Sequence, residues 1–397
     1  MNIVVIGVGY VGLITGLGLA KFNNNIQFLD IDIKKINKLK NKEAPFFEPS
    51  LNDFLNDKEI DNNISFFSDY DSINWSHVDI IMICVQTPSS DIDNIDISFV
   101  TNVFNSISKY VNEDSILCIK STIHPEALKD TLLNMGISEN QTVFNPEFLR
   151  EGSAFNDFLY PDRIIIGSSN IENGKKVASL YSQIDTEILF TDPISSQLIK
   201  YLSNAYLPLR LSFVNEAAQI VNELDGNLND TLKGIGLDSR IGSNYFRPSP
   251  GWGGSCFPKD VKEINSIARL NNLNTPLISN INESNIQHQE WFSDYLIDLK
   301  NKHNLTNICL IGLAFKENTD DIRYSPSVSI YKILDQKNEN VFIFDFQYKS
   351  MDSINILSEL NEDTLFVEMF PLDKSKADLI TEKLKQVNNF EYFRFWD

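Results

Sequence analysis

Residues 3–12 read Ile3-Val4-Val5-Ile6-Gly7-Val8-Gly9-Tyr10-Val11-Gly12. Four consecutive β-branched residues predict a strand buried on both faces, as in parallel sheets. The glycines after it predict a tight turn that opens into a helix. A GxGxxG pattern alone is a weak signal. Here a strand precedes it, a helix follows, and Asp30 closes the next predicted strand, Ile26–Leu29. In that setting Gly7, Gly9 and Gly12 let backbone approach a pyrophosphate, and the helix N-terminus stabilises its charge. Asp30 would accept hydrogen bonds from a ribose diol and repel a 2′-phosphate, so NAD is favoured over NADP. Tyr10, Val11, Lys35 and Thr87 are further candidate cofactor-binding residues. The bland alternative is a glycine-rich turn without a ligand.

Strands and helices alternate outward from this turn over the first 190 residues, which predicts a parallel sheet with helices on both faces. Further strands are expected at Ile80–Val85, Ile116–Lys120, Thr142–Phe144 and Arg163–Ile166. From Pro193 to Leu224 apolar residues recur at three- and four-residue steps (Leu198, Leu202, Ala205, Leu209, Phe213), predicting a long helix. Pro208 should kink it or be absorbed by a local distortion, and Gly226 ends it. Helices at Val261–Arg269 and Leu277–Leu299 complete an all-helical middle. A second βαβ pattern follows: a strand at Ile308–Ile311, a helix at Ser327–Leu334 and a strand at Val341–Asp345. A strand at Leu365–Phe370 and a helix at Lys374–Gln386 are expected near the end. These shifts divide the chain into a parallel-sheet region with helices at 1–190, an all-helical region at 191–300 and a region with a second βαβ unit at 301–397.

The 397 residues, 42% of them hydrophobic, suit several cores rather than one. A net charge of −20 argues against nucleic acid, which needs clustered cations. No apolar run reaches the roughly 18 residues of a membrane span. A strand at the very start argues against a signal peptide. Cys84, Cys118 and Cys309 lie in apolar, strand-like runs and are expected in cores. No cysteine or histidine spacing suggests zinc, so no metal is expected. A cytosolic, reduced protein is expected.

Cys256 keeps different company. Residues 251–260 read Gly-Trp-Gly-Gly-Ser-Cys-Phe-Pro-Lys-Asp. A thiol beside a cation (Lys259) has a stabilised thiolate, the nucleophilic form. Asp260 lies one turn from Cys256 if a helix starts there. Two other pairs have i, i+4 spacing. Lys200 and Asn204 share a helix face, where a cation and an amide could stabilise an oxyanion; a solvated Lys and a polar Asn are the ordinary outcome. Glu147 and Glu151 are close enough in sequence for one carboxyl to have a raised pKa; a charged loop is the alternative.

Five motifs occur in order: Gly7–Gly12, Lys120-Ser121-Thr122, Asn145-Pro146-Glu147-Phe148-Leu149-Arg150-Glu151-Gly152, Gly253–Asp260 and Gly312-Leu313-Ala314-Phe315-Lys316. Together they resemble the nucleotide-sugar dehydrogenases of the UDP-glucose/GDP-mannose dehydrogenase family, over residues 1 to about 345. The resemblance implies an N-terminal Rossmann domain that binds NAD, a central helical region whose long helix forms a homodimer, and a smaller C-terminal Rossmann-like domain that binds the nucleotide sugar. It implies oxidation of a sugar CH2OH to a carboxylate, with two NAD+ and one water, through a thiohemiacetal and a thioester on Cys256. By the same resemblance, Asp260 assists water or thiol deprotonation, and Lys200 and Asn204 stabilise the oxyanion. Glu151, Thr122 and the nearby Glu147 then serve the hydrolytic water. Thr122, Glu151 and Arg323 are implied to touch the cofactor. Phe148, Leu149, Arg150, Lys200, Asn204, Arg240, Tyr245, Gly253 and Lys316 are implied to touch the substrate, Arg240 across the dimer.

One departure from the family pattern is His124, in Thr122-Ile123-His124-Pro125, where members carry proline. The Ser255–Asp260 form resembles the UDP-glucose branch of the family more than the branches that act on GDP-mannose or a UDP-N-acetylhexosamine. A two-electron dehydrogenase with a structural Cys256, and a nucleotide-sugar binder without turnover, are the rival readings.

Overall fold

The computed structural model describes residues 1–88, 96–346, 362–385 and 387–396. Contacts divide the chain into two compact units, Met1–Leu202 and Ser203–Asp397.

In the first unit eight strands form one sheet: β1 (Asn2–Ile6), β2 (Asn25–Leu29), β3 (Ile64–Phe67), β4 (Ile80–Ile83), β5 (Ile116–Ile119), β6 (Thr142–Phe144), β7 (Ile164–Ser168) and β8 (Ile188–Thr191). Their order is β3-β2-β1-β4-β5-β6-β7-β8. The order reverses between β1 and β4, the switch point at which doubly wound sheets bind ligands. The apolar run of β1 is explained by burial on both faces. Ile3 and Val5 pack with Leu13, Leu17 and Phe28 on one side. Val4 and Ile6 pack with Ile83, Phe104 and Leu117 on the other.

The structure corrects the expected sheet. β7 runs antiparallel to β6, with Val143 opposite Ser168. The chain stays in a loop after β6, makes only the six-residue helix Ala154–Leu159, and re-enters from that same end. The edge strands β3 and β8 were not expected; each has four residues and a single polar interruption or end. β4 and β5 stop at Ile83 and Ile119, short of Val85 and Lys120.

The helix Pro193–Glu223 is 31 residues long and runs from the first unit into the second. Pro208 lies within it and is absorbed: it has no N–H for the Asn204 carbonyl, yet the helix continues. Helices Leu228–Gly236 and Phe257–Leu270 follow. The single helix expected at Leu277–Leu299 is two, Pro276–Ser279 and Ile281–Lys302, with Asn280 between them.

The second unit also holds a parallel sheet of β9 (Asn307–Ile311), β10 (Asn340–Phe344), β11 (Glu362–Glu368) and β12 (Asn388–Arg394), ordered β10-β9-β11-β12. Phe292 and Leu296 of the preceding helix cover one face, against Ile308 and Leu310. Helix Lys374–Leu384 covers the other through Ile380 and Leu384. The expected end of that helix, Gln386, lies outside the described residues. β12 was not expected, because Asn388, Asn389, Glu391 and Arg394 break its apolar run.

Both sheets repeat one device. Gly7 (φ +92) donates its N–H to the Leu29 carbonyl, and Val8 N–H donates to Asp30 Oδ2 at 2.8 Å. Gly312 (φ +107) donates to Phe344, and Leu313 N–H donates to Asp345 Oδ2 at 2.7 Å. Each aspartate ties the end of the second strand to the turn after the first.

The glycines of the first turn differ in what they tolerate. A Cβ on Gly12 would lie 2.0 Å from the Gly7 carbonyl oxygen, whereas one on Gly9 would meet nothing within 4 Å. Gly12→Ala is therefore expected to lower stability by about 2–3 kcal/mol in urea denaturation, as overpacking does. Gly9→Ala, at a permissive φ of −82, should stay within about 0.5 kcal/mol of the wild type yet weaken NAD binding. Equal destabilisation by the two changes would overturn this reading of the turn.

Candidate active site

In the first unit the side chains predicted for the cofactor lie at the carboxyl ends of β1, β2 and β4. Asp30 Oδ1 accepts from Asp32 N–H at 2.9 Å, and Oδ2 receives the Lys35 ammonium at 2.9 Å. Lys35 thus partners the predicted ribose acceptor. Thr87 Oγ1 donates to the Thr122 carbonyl at 3.0 Å. That bond ties the segment after β4 to the segment after β5. The open space at Gly9, the positive φ of Gly7 and the carboxylate at Asp30 together fit a dinucleotide.

The loop after β6 carries the predicted glutamates. Its residues 145–150 are not helical, so the i, i+4 face expected for Glu147 and Glu151 does not exist. Glu147 instead pairs with a cation. Lys200 Nζ donates to Glu147 Oε1 at 3.0 Å and to the Glu147 carbonyl at 2.7 Å. Side-chain exposures of 5% and 10% make this a buried ion pair. Glu147 Oε2 also accepts from Leu149 N–H at 2.6 Å. Below the loop, the buried Lys120 ammonium donates to Asn145 Oδ1 at 3.0 Å and to the Asn145 carbonyl at 3.2 Å. Burial pulls the Lys120 pKa below the ordinary lysine value. Arg150 has its backbone N–H and its guanidinium on the buried Asp157. The Phe148 ring lies under the Arg163 guanidinium at 4.0 Å and near the Lys200 ammonium at 5.2 Å.

In the second unit Cys256 is exposed and sits at the N-cap of helix Phe257–Leu270. Asp260 N–H donates to the Cys256 carbonyl at 2.9 Å, so the two residues are one turn apart, as expected. A helix N-terminus stabilises a thiolate. The Asp260 carboxylate is buried and accepts from Asn204 Nδ2 at 2.6 Å and from Lys259 Nζ at 2.7 Å. Lys259 is therefore the cation of Asp260.

The cysteine loop is held tightly. Trp252 exchanges backbone hydrogen bonds with the Asn285 amide, and its indole N–H donates to Ser212 Oγ at 3.0 Å. A Cβ on Gly253 would sit 2.0 Å from the Tyr324 carbonyl oxygen, and Gly254 donates to the Arg323 carbonyl. The loop so lies against the segments of Lys316 and Arg323. The Arg323 guanidinium forms a fork on Asp321. Arg240 is 87% exposed at its side chain and forks onto Asp238. Tyr245 adopts a left-handed φ of +53 nearby in sequence. Thr122, Leu149 and Glu151 lie in the loops already described.

Sequence reasoning missed the residues that hold these loops: Glu48, Asp157, Arg163, Ser212 and Asn285. None belongs to a recognisable motif, and a buried Glu or Asp away from motifs carries no local signal.

Sequence models for three successive domains of one family match this chain. The NAD binding domain matches residues 1–185, the central domain 194–287 and the UDP binding domain 309–386. The chain belongs to the UDP-glucose/GDP-mannose dehydrogenase family. As a family member it is an NAD-dependent oxidoreductase, and NAD is its cofactor. It is 37% identical over 356 residues to the UDP-glucose 6-dehydrogenase of Rickettsia felis, covering 87% of this chain and 78% of that one. It is 35% identical over 337 residues to UDP-glucose 6-dehydrogenase YwqF of Bacillus subtilis, covering 83% and 76%. The fold matches a UDP-glucose dehydrogenase from Pyrobaculum islandicum with a TM-score of 0.83, at 24% identity and 98% and 96% coverage. It also matches a UDP-D-ManNAc dehydrogenase from Pyrococcus horikoshii with a TM-score of 0.86, at 22% identity and 99% coverage of both. Among the described residues no helix is long and apolar enough to cross a membrane.

The cysteines separate into two classes. Burial pushes the Cys118 thiol up to about 12, and Cys84 and Cys309 higher still. Brief iodoacetamide treatment of the native family member should label Cys256 alone, with the other three reacting only after denaturation. Peptide mass mapping reads this directly; labelling of Cys84, Cys118 or Cys309 at a rate like that of Cys256 would contradict the site.

Proposed function

We propose that the protein oxidises UDP-glucose to UDP-glucuronate, consuming two NAD+ and one water. The observation that carries this reading is the exposed Cys256 at a helix N-terminus, one turn from a buried Asp260 held by Asn204 and Lys259. A dehydrogenase that stops at the aldehyde has no use for such a thiol. When bound, NAD supplies the acceptor for each of the two hydrides that leave the sugar C6. The residues of the chain do the rest.

After the first two-electron oxidation, the Cys256 thiolate adds to the aldehyde carbon and forms a C–S bond. Lys200 and Asn204 stabilise the resulting oxyanion. The second two-electron oxidation converts this thiohemiacetal to a thioester. Water then attacks the acyl carbon, the C–S bond breaks, and the carboxylate leaves with the thiol restored. Glu151 and Thr122 serve that water, with Glu147 nearby, and Asp260 takes up and returns the thiol proton. Phe148, Leu149, Arg150, Tyr245, Gly253 and Lys316 bind the sugar and its phosphates. Arg323, with Gly7, Gly9, Tyr10, Val11, Gly12, Asp30, Lys35 and Thr87, binds the cofactor. The division into 1–190, 191–300 and 301–397 follows these roles. A cytosolic location goes with them, because a reactive thiolate needs reducing surroundings.

The active assembly in this proposal is a homodimer. Leu202, Tyr206, Phe213 and Ile220 are all exposed on the long helix and spaced four, seven and seven residues apart, with the exposed Leu224 just beyond its end. That spacing puts them on one face, an apolar stripe suited to a second copy. Arg240, exposed and away from its own core, would then reach the other copy's substrate.

Two measurements test the proposal. With limiting UDP-glucose, two NADH are expected per sugar, with acid as product; one NADH per sugar would sink the thioester route. GDP-mannose and UDP-N-acetylhexosamines should turn over at most slowly in the same assay, and preference for either would replace UDP-glucose. Mixing inactive Arg240→Ala and Cys256→Ala subunits should restore part of the activity. No recovery after confirmed subunit exchange would remove Arg240 from a shared site.

A further inference from the structure

Glu48 belongs to none of the motifs above, yet it is 5% exposed and carries a carboxylate. Each of its oxygens is used. Oε2 accepts from the Tyr10 hydroxyl at 2.7 Å and from Gly152 N–H at 2.7 Å. Oε1 accepts from Ala154 N–H at 2.8 Å. The Tyr10 hydroxyl also lies 3.2 Å from the Arg150 carbonyl oxygen. The residues on either side of Glu151 are therefore both held by the Tyr10–Glu48 pair, one through its carbonyl and one through its N–H. Gly152 has a φ of +85, a conformation that lets the chain turn here and that only glycine adopts cheaply. Ala154 is the first residue of helix Ala154–Leu159, so Glu48 also supplies that helix with an acceptor it lacks locally.

The other end of the cluster is the cofactor turn. Tyr10 is the first residue of the helix that follows Gly9, and its ring packs on Phe46, two residues before Glu48. Burial first, and then the Glu48 carboxylate, push the Tyr10 phenol far above its ordinary pKa. It therefore stays a hydroxyl, able to donate to Glu48.

We propose that Glu48 is a positioning residue that couples the cofactor turn to Glu151, and that its role falls in thioester hydrolysis rather than in hydride removal. This deepens the function proposed above and rests on it. A buried carboxylate with three donors restrains the loop on both sides of Glu151, and an error of about 1 Å in a catalytic group slows a step by about 100-fold. Hydride removal depends on the cofactor seat formed by Gly7, Gly9, Gly12 and Asp30; Glu48 meets that turn through the Tyr10 phenol, while its other bonds go to the loop backbone at Gly152 and Ala154.

Glu48→Gln keeps the shape but replaces one accepting oxygen with a donor that faces Gly152 N–H or Ala154 N–H. Steady-state turnover is expected to fall about 10- to 100-fold. The KM for NAD should stay within about twofold, since the turn itself is intact. In rapid mixing with excess UDP-glucose, two NADH per site should form in a fast burst before the slow phase, because both oxidations precede hydrolysis. Glu151→Gln is the control and should show the same burst. A burst in Glu151→Gln with none in Glu48→Gln overturns the role of Glu48 and leaves the proposed function standing. No burst in either variant overturns the thioester reading itself. If Glu48→Gln does not fold, Tyr10→Phe removes only the phenol contact, and it should show a smaller slowing of the same phase. Unchanged turnover in that variant, or loss of the fast phase, refutes the coupling.

Discussion

A buried ammonium must have an acceptor, and in this protein that requirement organises the loop after β6. Lys200 stands on the long helix with almost no exposure, and both of its identified acceptors belong to Glu147. Removing the Lys200 ammonium would leave the buried Glu147 carboxylate without this cation, at a cost of about 3–5 kcal/mol. The pair therefore pins residues 145–150 to the start of the helix, whatever else the loop does. Lys120 repeats the constraint from below through Asn145. Glu48 applies it with opposite sign at residues 152–154. Three ionisable side chains from distant parts of the chain so converge on one irregular segment. That segment carries Glu147, Phe148, Leu149, Arg150 and Glu151.

This explains why the candidate machinery sits on a loop yet is not loose. The ladder of β6 ends at Phe144, and no helix starts before Ala154. Backbone groups in between have few regular partners, so side chains satisfy them: Glu147 for Leu149, Asp157 for Arg150, Glu48 for Gly152 and Ala154. The cysteine loop of the second unit follows the same logic with neutral groups. Asn285 takes both backbone groups of Trp252, and the bare Cα of Gly253 lets the Tyr324 carbonyl come close. Local regular structure supplies the scaffold, and long-range polar contacts supply the precision.

The same division decides what could be read from the sequence. The Rossmann turn, Asp30, the long helix and the Cys256–Asp260 step were legible because each is a local pattern of a few residues. The helix Pro193–Glu223 was readable despite Pro208 because its apolar periodicity continues on both sides. The antiparallel entry of β7 was not legible, since strand direction depends on where a loop sends the chain. Edge strands β3, β8 and β12 lack the doubly buried runs that mark central strands. The spacing of Glu147 and Glu151 misled, because i, i+4 means a shared face only on a helix, and residues 145–150 are held as a loop by side-chain contacts to Lys200, Lys120 and Asp157. Lys259 was legible as a cation near the thiol, but its partner is Asp260. Glu48 and Asn285 were invisible, because only the fold brings them to their loops.

The central claim is that Cys256 carries the sugar as a thioester. Acid-quenching the wild-type enzyme during turnover with UDP-glucose and NAD+, followed by peptide mass mapping, tests it most directly. The account predicts that a fraction of the Cys256 peptide gains the mass of the UDP-glucuronyl group, that the adduct is released by hydroxylamine, and that it is absent without NAD+. Turnover to acid with the Cys256 peptide unmodified in every quenched sample, including under Glu151→Gln, would contradict it.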